Sequence, residues 1–147
     1  MKEMKEMEEM EETEETEETE ENITEDGGVK KKVIKKGEGL KCPEKESIVV
    51  FYYVGKFLNG IVFDSLTSRE DPIKVWLGKG MAIEGIEKAV LKMKKGEISL
   101  ITCTSEYAYG EYGSPPIVPP NSTLQFELEL IEWIDSNIDP DLNDSDA

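Results

Sequence analysis

The sequence predicts an α+β domain of about five or six β-strands and one short helix, between two acidic tails. Runs rich in β-branched and aromatic residues dominate the middle of the chain. Apolar residues recur at helical spacing in one short segment. The acidic charge is concentrated at the two ends, which leaves a near-neutral segment long enough for one hydrophobic core.

The formal charge of −16 belongs to the ends of the 147-residue chain. Residues 1–26 carry a net charge of −12 and residues 135–147 carry −5, whereas residues 27–134 carry +1. The first 21 residues repeat in triplets, a period that drifts around a helix, and their closely spaced glutamates repel one another. We therefore predict disordered acidic tails over residues 1–26 and 135–147 and one domain over residues 27–134. An acidic arm that contacts a basic partner, or a linker to another domain, is the alternative.

The strands are predicted from composition and alternation. The first is rich in lysine, which is typical of an edge strand. The second runs through Gly55 to Asn59-Gly60, a strong hairpin signal, and then returns. The last alternates leucine and phenylalanine inward with glutamine and glutamate outward. In chain order the strand segments are Val29–Lys36, Ser47–Val54, the hairpin return before Asp64, Ile73–Leu77, Glu97–Cys103 and Thr123–Trp133.

One helix is predicted between the strand segments Ile73–Leu77 and Glu97–Cys103. Ile83, Ile86, Val90 and Met93 fall on one face at helical spacing. Gly96 follows and closes the segment, because glycine is the usual residue just past a helix end. The pattern therefore indicates a short helix with one apolar face against the sheet.

Composition excludes several kinds of site. The chain has no histidine, so Ser-His-Asp triads, Cys-His dyads and histidine-ligated metals are impossible. Two cysteines cannot build a zinc ribbon, and we expect no metal and no cofactor. No apolar run approaches the ~20 residues of a membrane helix, and no signal region precedes the acidic repeat. We expect a monomeric cytoplasmic protein, also compatible with the nucleus, with reduced thiols and no membrane partner.

The lysines of the first strand allow two interpretations. They could form a nucleic-acid patch, or they could be the solvated side chains of an edge strand. Because acidic tails flank a neutral domain, we favour the edge strand and expect no nucleic-acid partner. The residues concerned are Lys30, Lys31, Lys32, Lys35 and Lys36.

The connection before the last strand is unusually long and stiff. Residues 107–120 contain three tyrosines and four prolines. Long loops inside compact domains are usually functional or disordered, and this composition indicates an aromatic-lined loop of restricted flexibility. We therefore expect the loop to border a binding site.

Three motifs carry a family resemblance. They are Phe-Asp-Ser at 63–65, Tyr-Ala-Tyr-Gly at 107–110, and Gly-Ser-Pro-Pro followed by Pro-Pro-Asn-Ser-Thr within 113–123. In this order and spacing they resemble the FKBP family, the immunophilins that bind tacrolimus and rapamycin. The resemblance runs from Val29 to Trp133, and the proline loop is most similar to the first domain of the large FKBP co-chaperones.

The resemblance implies a fold and an activity. The fold is an antiparallel sheet wrapped around one short helix, with an aromatic pocket between them. The activity is cis/trans isomerisation of X-Pro bonds in proline-containing peptides and proteins, with tacrolimus- or rapamycin-type macrolides as ligands. The barrier of ~18–20 kcal/mol is the amide resonance lost on twisting. That reaction requires neither a proton transfer nor a nucleophile, which suits a chain without histidine.

The resemblance also implies the pocket residues. Tyr53 would place its ring on the pocket wall and donate its hydroxyl hydrogen to the carboxylate of Asp64. Arg69, in the following bulge, would pair with Asp64 or Tyr53. Tyr109 would direct its hydroxyl toward the ligand, and Phe126 would close the back. The implied catalytic residues are Tyr53, Phe63, Asp64, Tyr109 and Phe126.

The remaining pocket positions include three departures from the family pattern. Ile83 would offer its backbone N–H to a ligand carbonyl, and Val118 would border the mouth. The floor, usually tryptophan, is Ile86 here; a wall phenylalanine is replaced by Ile73, and a valine by Ala82. Losing an indole removes a large contact surface and an N–H donor. We therefore expect weaker macrolide affinity and reduced isomerase activity.

Two functional hypotheses follow from these residues. The first is a peptidyl-prolyl isomerase that works through this pocket. The second is a binding or co-chaperone module of the same fold, weakly catalytic, that contacts other proteins through the loop at residues 109–120 and in addition through the tails. The Ile86 floor favours the second, whereas the retained tyrosines, Asp64 and Phe126 favour the first. We favour the enzyme.

Overall fold

The computed structural model describes residues 20–135 of the chain. In this range the chain forms seven β-strands, one α-helix and one short 3-10 helix. In order they are β1 (Glu20–Asn22), β2 (Val29–Lys35), β3 (Ile48–Phe57), β4 (Val62–Leu66), β5 (Ile73–Trp76), α1 (Glu84–Val90), β6 (Ile98–Cys103), the 3-10 helix (Ser105–Tyr107) and β7 (Leu124–Ile134).

All strand pairs are antiparallel and belong to one sheet, with the order β1-β2-β6-β7-β3-β4. β3 is paired on both sides. On one side β7 pairs with its whole length. On its other side β5 pairs with Ile48–Phe51 and β4 with Tyr53–Lys56. The predicted antiparallel sheet with one short helix is confirmed, with seven strands in place of five or six.

The alternation of β7 and the predicted hairpin are both confirmed. Leu124, Phe126, Leu128 and Leu130 are buried, whereas the intervening residues are half-buried, as a strand with one face on the core requires. Gly60 has a φ of +93°, which only glycine adopts without strain, and it lies between β3 and β4. These two features hold the central strands in one register.

The helix is shorter than the spacing of apolar residues predicts. Ile83 is the N-cap, with an extended backbone, and α1 ends at Val90. The backbone then tightens, because the N–H of Met93 donates to the carbonyl of Val90, three residues back. Met93 is nevertheless fully buried, so the predicted apolar face is correct but only part of it is helical.

The helix lies unusually close to β6. A Cβ atom at Gly85 would lie 2.2 Å from Sγ of Cys103 and 3.1 Å from the carbonyl oxygen of Tyr107. Cys103 is fully buried as a free thiol, and burial raises its pKa to about 12. Cys103 therefore packs here as a small apolar residue.

The predicted tail boundaries are too far inside the chain. β1 pairs with β2, and the following residues to 26 are hydrogen-bonded to the domain, so residues 20–26 do not belong to a disordered tail. At the other end Ser47 donates a hydrogen bond of 2.8 Å from Oγ to the carboxylate of Asp135. The rest of the predicted tails, residues 1–19 and 136–147, lies outside the described residues.

The prediction that β2 is a solvated edge strand is also wrong. β1 covers the segment Lys30–Lys32, and Lys31 is only 3% exposed. Its Nζ donates to Oε2 of Glu97 and to the carbonyl oxygen of Lys92, both at 2.7 Å. The same Glu97 oxygen accepts a hydrogen bond from Ser99. A buried ammonium is tolerated here because its charge is paired and hydrogen-bonded.

Within residues 20–135 no helix has the length and apolar composition that crossing a bilayer would require. The one α-helix, α1, spans Glu84–Val90 and packs on the sheet through Gly85, Ile86, Ala89 and Val90. Its role in this fold is to cover the inner face of the sheet.

Removing the buried ammonium should destabilise the fold. We expect Lys31→Met to lower the free energy of unfolding by about 3–5 kcal/mol, because it leaves the Glu97 carboxylate buried without its cation. Lys32→Met, one residue away, should change it by no more than about 0.5 kcal/mol. Adding Glu97→Gln to Lys31→Met should recover much of the loss. Urea unfolding measures all three, and equal effects of Lys31→Met and Lys32→Met would contradict the ion pair's role.

Candidate active site

A cavity of about 350 Å³ lies between the inner face of the sheet and α1. Its walls come from β3, β4, β5, β7, the segment before α1 and the loop after the 3-10 helix. Eight of the predicted pocket residues line it: Tyr53, Asp64, Ile73, Ala82, Ile83, Ile86, Tyr109 and Phe126. Phe63, Arg69 and Val118 do not.

Aromatic rings form one wall of this cavity. Tyr53 and Phe51 are two residues apart in β3 and therefore lie on the same face, with ring centroids 6.2 Å apart. Phe126 of β7 meets Tyr53 edge to face, at 6.2 Å and 70°. Ile86 of α1 is 6% exposed, belongs to the same core cluster and lines the cavity. The aromatic wall of the cavity and the surface that Ile86 contributes are therefore apolar.

Phe63 supports the wall from behind and does not line the cavity. Its ring lies against Phe126, at 5.8 Å and 81°, and against Phe57 at 4.9 Å. Both Phe63 and Phe126 lie over Gly55, where a Cβ would be 2.8 Å from Cζ of Phe63. Phe63 thus contacts the aromatic wall and is not among the residues that line the cavity, and its catalytic role stays a prediction.

The predicted hydrogen bond between Tyr53 and Asp64 is present. The Tyr53 hydroxyl donates to Oδ2 of Asp64 at 2.5 Å. Burial, and then the hydrogen bond to this carboxylate and its charge, raises the pKa of Tyr53 well above its usual range. Burial and the Asp64 charge also raise the pKa of Tyr109. Both phenols are therefore neutral hydrogen-bond donors at physiological pH.

Tyr109 lies at the mouth, on a loop braced by its own backbone. The Tyr109 carbonyl accepts from the N–H of Gly113 at 3.0 Å, and the Gly110 carbonyl accepts from Asn121 at 2.9 Å. At Gly113, with φ of +68°, a Cβ would lie 2.3 Å from the carbonyl oxygen of Val118. Val118 is buried in the core, so the prediction that it borders the mouth is wrong.

The predicted pairing of Arg69 with Asp64 or Tyr53 is wrong as well. Its Nη2 donates to Oε1 of Glu129 at 3.0 Å, and its guanidinium lies 4.3 Å from the ring centre of Tyr52. Glu129 and Tyr52 are register partners and point to the opposite face of the sheet from Tyr53. Arg69 therefore lies outside the cavity.

The segment before α1 supplies a backbone donor. Ile83 lines the cavity, and its carbonyl accepts from the N–H groups of Ile86 and Glu87. Among residues 20–135 no acceptor takes the N–H of Ile83. This donor is thus free for a ligand carbonyl, as the resemblance implies.

Four lining residues are absent from the sequence-based set. Phe51 and Val75 are core strand residues that also reach the cavity, and Gly80 and Met81 precede Ala82 in the loop. The position of Phe51, two residues before Tyr53 on one strand, was a usable signal because alternate residues share a face. Nothing in the sequence marked Met81, which is exposed and accepts a hydrogen bond at Sδ from the N–H of Trp76.

The arrangement holds neutral donors around an apolar cavity. Among the described residues no three Cys, Asp or Glu side chains come together as a metal site. The fold and cavity define a binding domain for an apolar ligand that carries hydrogen-bond acceptors.

Comparison with known proteins identifies the family. A model of the FKBP-type peptidyl-prolyl cis-trans isomerase matches residues 39–131. FK506-binding protein 59 of Drosophila melanogaster is 40% identical over 124 residues, which are 84% of this chain and 28% of the fly protein. FK506-binding protein 1 of Rhizopus delemar is 41% identical over 105 residues, 71% of this chain and 97% of the fungal protein. The crystal structure of the three FKBP domains of wheat FKBP73 matches with a TM-score of 0.76 and 37% identity, covering 80% of this chain and 51% of that one.

The chain belongs to the FKBP-type peptidyl-prolyl cis-trans isomerase family. The resemblance inferred from the three motifs is thereby confirmed. The chain spans less than a third of the fly relative and about half of the wheat chain, but nearly the whole of the fungal relative.

Placing a methyl group at Gly55 should disturb the aromatic wall. The ring of Phe63 cannot retreat easily, because Phe57 and Phe126 enclose it. We expect Gly55→Ala to lower the free energy of unfolding by about 1–3 kcal/mol, as overpacking does. Combining it with Phe63→Leu should cost less than the sum of the two single changes, measured by urea unfolding. Additive losses would show that the Gly55 and Phe63 positions are independent.

Proposed function

We propose that this chain catalyses the cis/trans isomerisation of X-Pro bonds in protein substrates, with the proline ring held in the cavity. The observation that carries the proposal is the combination of an apolar cavity with neutral donors at its edge. Tyr53 and Phe126 supply flat apolar surface, and Ile86 supplies an apolar floor. Tyr109 and the N–H of Ile83 are donors for carbonyl oxygens of the peptide.

The chemistry requires only preferential binding of the twisted bond. The planar amide is stabilised by resonance, which separates charge between nitrogen and oxygen. The twisted amide has lost that resonance and is less charge-separated, so an apolar wall favours it over the planar form. Fixed donors can hold the flanking carbonyl while the C–N bond turns. None of these steps needs an acid, a base or a nucleophile.

Macrolide binding and reduced activity are the finer parts of the proposal. The two relatives named as FK506-binding proteins support a macrolide ligand for the same cavity. Ile86 offers less flat contact surface than tryptophan and no N–H donor, which favours weaker binding of both macrolide and substrate. The monomeric state and cytoplasmic location expected from the sequence belong to this proposal too.

A binding module is the second candidate, and one observation favours it. In the same loop as Tyr109, Tyr112 is 78% exposed and Ile117 is 57% exposed. Exposed aromatic and aliphatic residues on a braced loop suit a protein contact. In this alternative the chain contacts a partner through residues 109–120 and turns over proline bonds weakly.

Restoring the indole should strengthen both functions. We expect the unchanged chain to catalyse X-Pro isomerisation above background, and Ile86→Trp to raise kcat/KM and rapamycin affinity by about three- to tenfold, the scale of one good aromatic contact. An NMR exchange or protease-coupled assay on an X-Pro peptide measures the first, and rapamycin titration the second.

Filling the cavity provides the control. Ala82→Trp should abolish activity in a chain that remains folded by circular dichroism, whereas Asp64→Asn should cost less because the mechanism depends on packing. A folded wild-type chain with no rate above background would overturn the enzyme proposal and leave the binding module. Unchanged affinity in Ile86→Trp would show that Ile86 is not the floor.

A further inference from the structure

A second, larger cavity of about 750 Å³ lies between β2 and the turn that follows α1. Within the described range, residues 20–135, it shares no lining residue with the aromatic cavity. The buried pair Lys31–Glu97 contributes to its lining, and three more lysines surround it: Lys36, Lys92 and Lys94. The charge and location of this lysine cavity are unrelated to proline binding.

The three surrounding lysines have no acidic partner within residues 20–135. Lys36 and Lys92 are exposed and Lys94 is half-buried. The acids that line the cavity are Glu21 and Glu97, and Lys31 already neutralises Glu97. Among the described residues, three unpaired cations and one free carboxylate line the cavity and make this concavity positive, in a chain whose net charge is −16. Concave surfaces of one sign concentrate ligands of the other.

Lys31 provides a donor inside the cavity. An ammonium has three N–H donors, and two of them are used by Glu97 and by the Lys92 carbonyl. The third has no acceptor among the described residues, although the Lys31 side chain is only 4% exposed and lines the cavity. A buried donor left without an acceptor favours a ligand that brings one.

The protein itself already places acidic residues against these lysines. β1 pairs with β2 so that Glu20 lies opposite Lys32 and Glu21 lies opposite Lys31. Glu21 also lines the cavity. An extended segment with several carboxylates is therefore compatible with the β2 surface, and Glu21 of β1 lines the same cavity as the unpaired lysines.

We propose that the lysine cavity binds an acidic peptide segment of a partner protein. Its carboxylates pair with Lys36, Lys92 and Lys94, and one of them accepts the remaining hydrogen bond of Lys31. The site is separate from the proposed isomerase pocket, so a partner can be held there while a proline segment occupies the aromatic cavity.

The test uses the full chain and a fluorescein-labelled peptide of three Thr-Glu-Glu repeats, with a Thr-Gln-Gln peptide for comparison. In fluorescence anisotropy we expect the Thr-Glu-Glu peptide to bind and the Thr-Gln-Gln peptide not to bind. The affinity of the acidic peptide should fall as the salt concentration is raised. Lys36→Gln combined with Lys94→Gln should weaken binding by about three- to tenfold, the scale of two partly exposed ion pairs. Lys45→Gln combined with Lys74→Gln removes the same charge from exposed lysines that do not line this cavity and should leave binding unchanged.

Amide chemical shifts locate the bound peptide. We expect shifts at Gly37, Gly39 and Cys42, which line the lysine cavity, with unchanged isomerase rates. A further variant changes four glutamates of the N-terminal repeat to glutamine: Glu14, Glu15, Glu17 and Glu18. Tighter binding of the acidic peptide to this variant would support the site, because the chain's own carboxylates would no longer compete for it. Equal weakening by both lysine pairs, or no shift at the cavity amides, would overturn the proposal.

Discussion

The close contact between Gly85 and Cys103 sets the distance between the helix and the sheet. Any side chain at position 85 would overlap the Cys103 sulfur. Only glycine at this position therefore allows α1 to lie this close to β6. Because the helix lies this near, Ile86 reaches the core while still lining the cavity, and Ile83 keeps its free N–H beside it. The cavity exists where the helix begins, since the segment before it is extended and cannot fill the space.

The alternation of the two central strands separates the apolar cavity from the charged surface. Tyr53 and Phe126 face the helix, whereas Tyr52 and Glu129 face outward and hold Arg69. Gly55 of β3 makes room for the rings of Phe63 and Phe126, so the wall is aromatic without being overpacked. Among residues 20–135 Asp64 is the only charged side chain that lines this cavity, and it accepts a hydrogen bond from the Tyr53 hydroxyl.

Local patterns and family motifs predicted most of the fold and eight of the residues that line the cavity. The hairpin at Gly60 and the alternation of β7 depend on neighbouring residues, and a sequence displays both. The errors came from contacts between distant segments. Lys31 is buried because Glu97, 66 residues away, supplies its counter-charge, and Arg69 is turned outward by Glu129, 60 residues away. Such pairings depend on which strands meet and on which face, which periodicity alone does not reveal.

In the proposed isomerase mechanism this cavity binds a twisted bond, without proton transfer. The raised pKa values of Tyr53 and Tyr109 keep both phenols protonated, and the chain has no histidine to titrate near neutrality. The most direct test is the dependence of kcat/KM on pH and on D₂O with one X-Pro peptide. We expect kcat/KM to stay constant between about pH 5.5 and 8.5, with a solvent isotope effect near unity. A titration step in that range, or a clear slowing in D₂O, would contradict it.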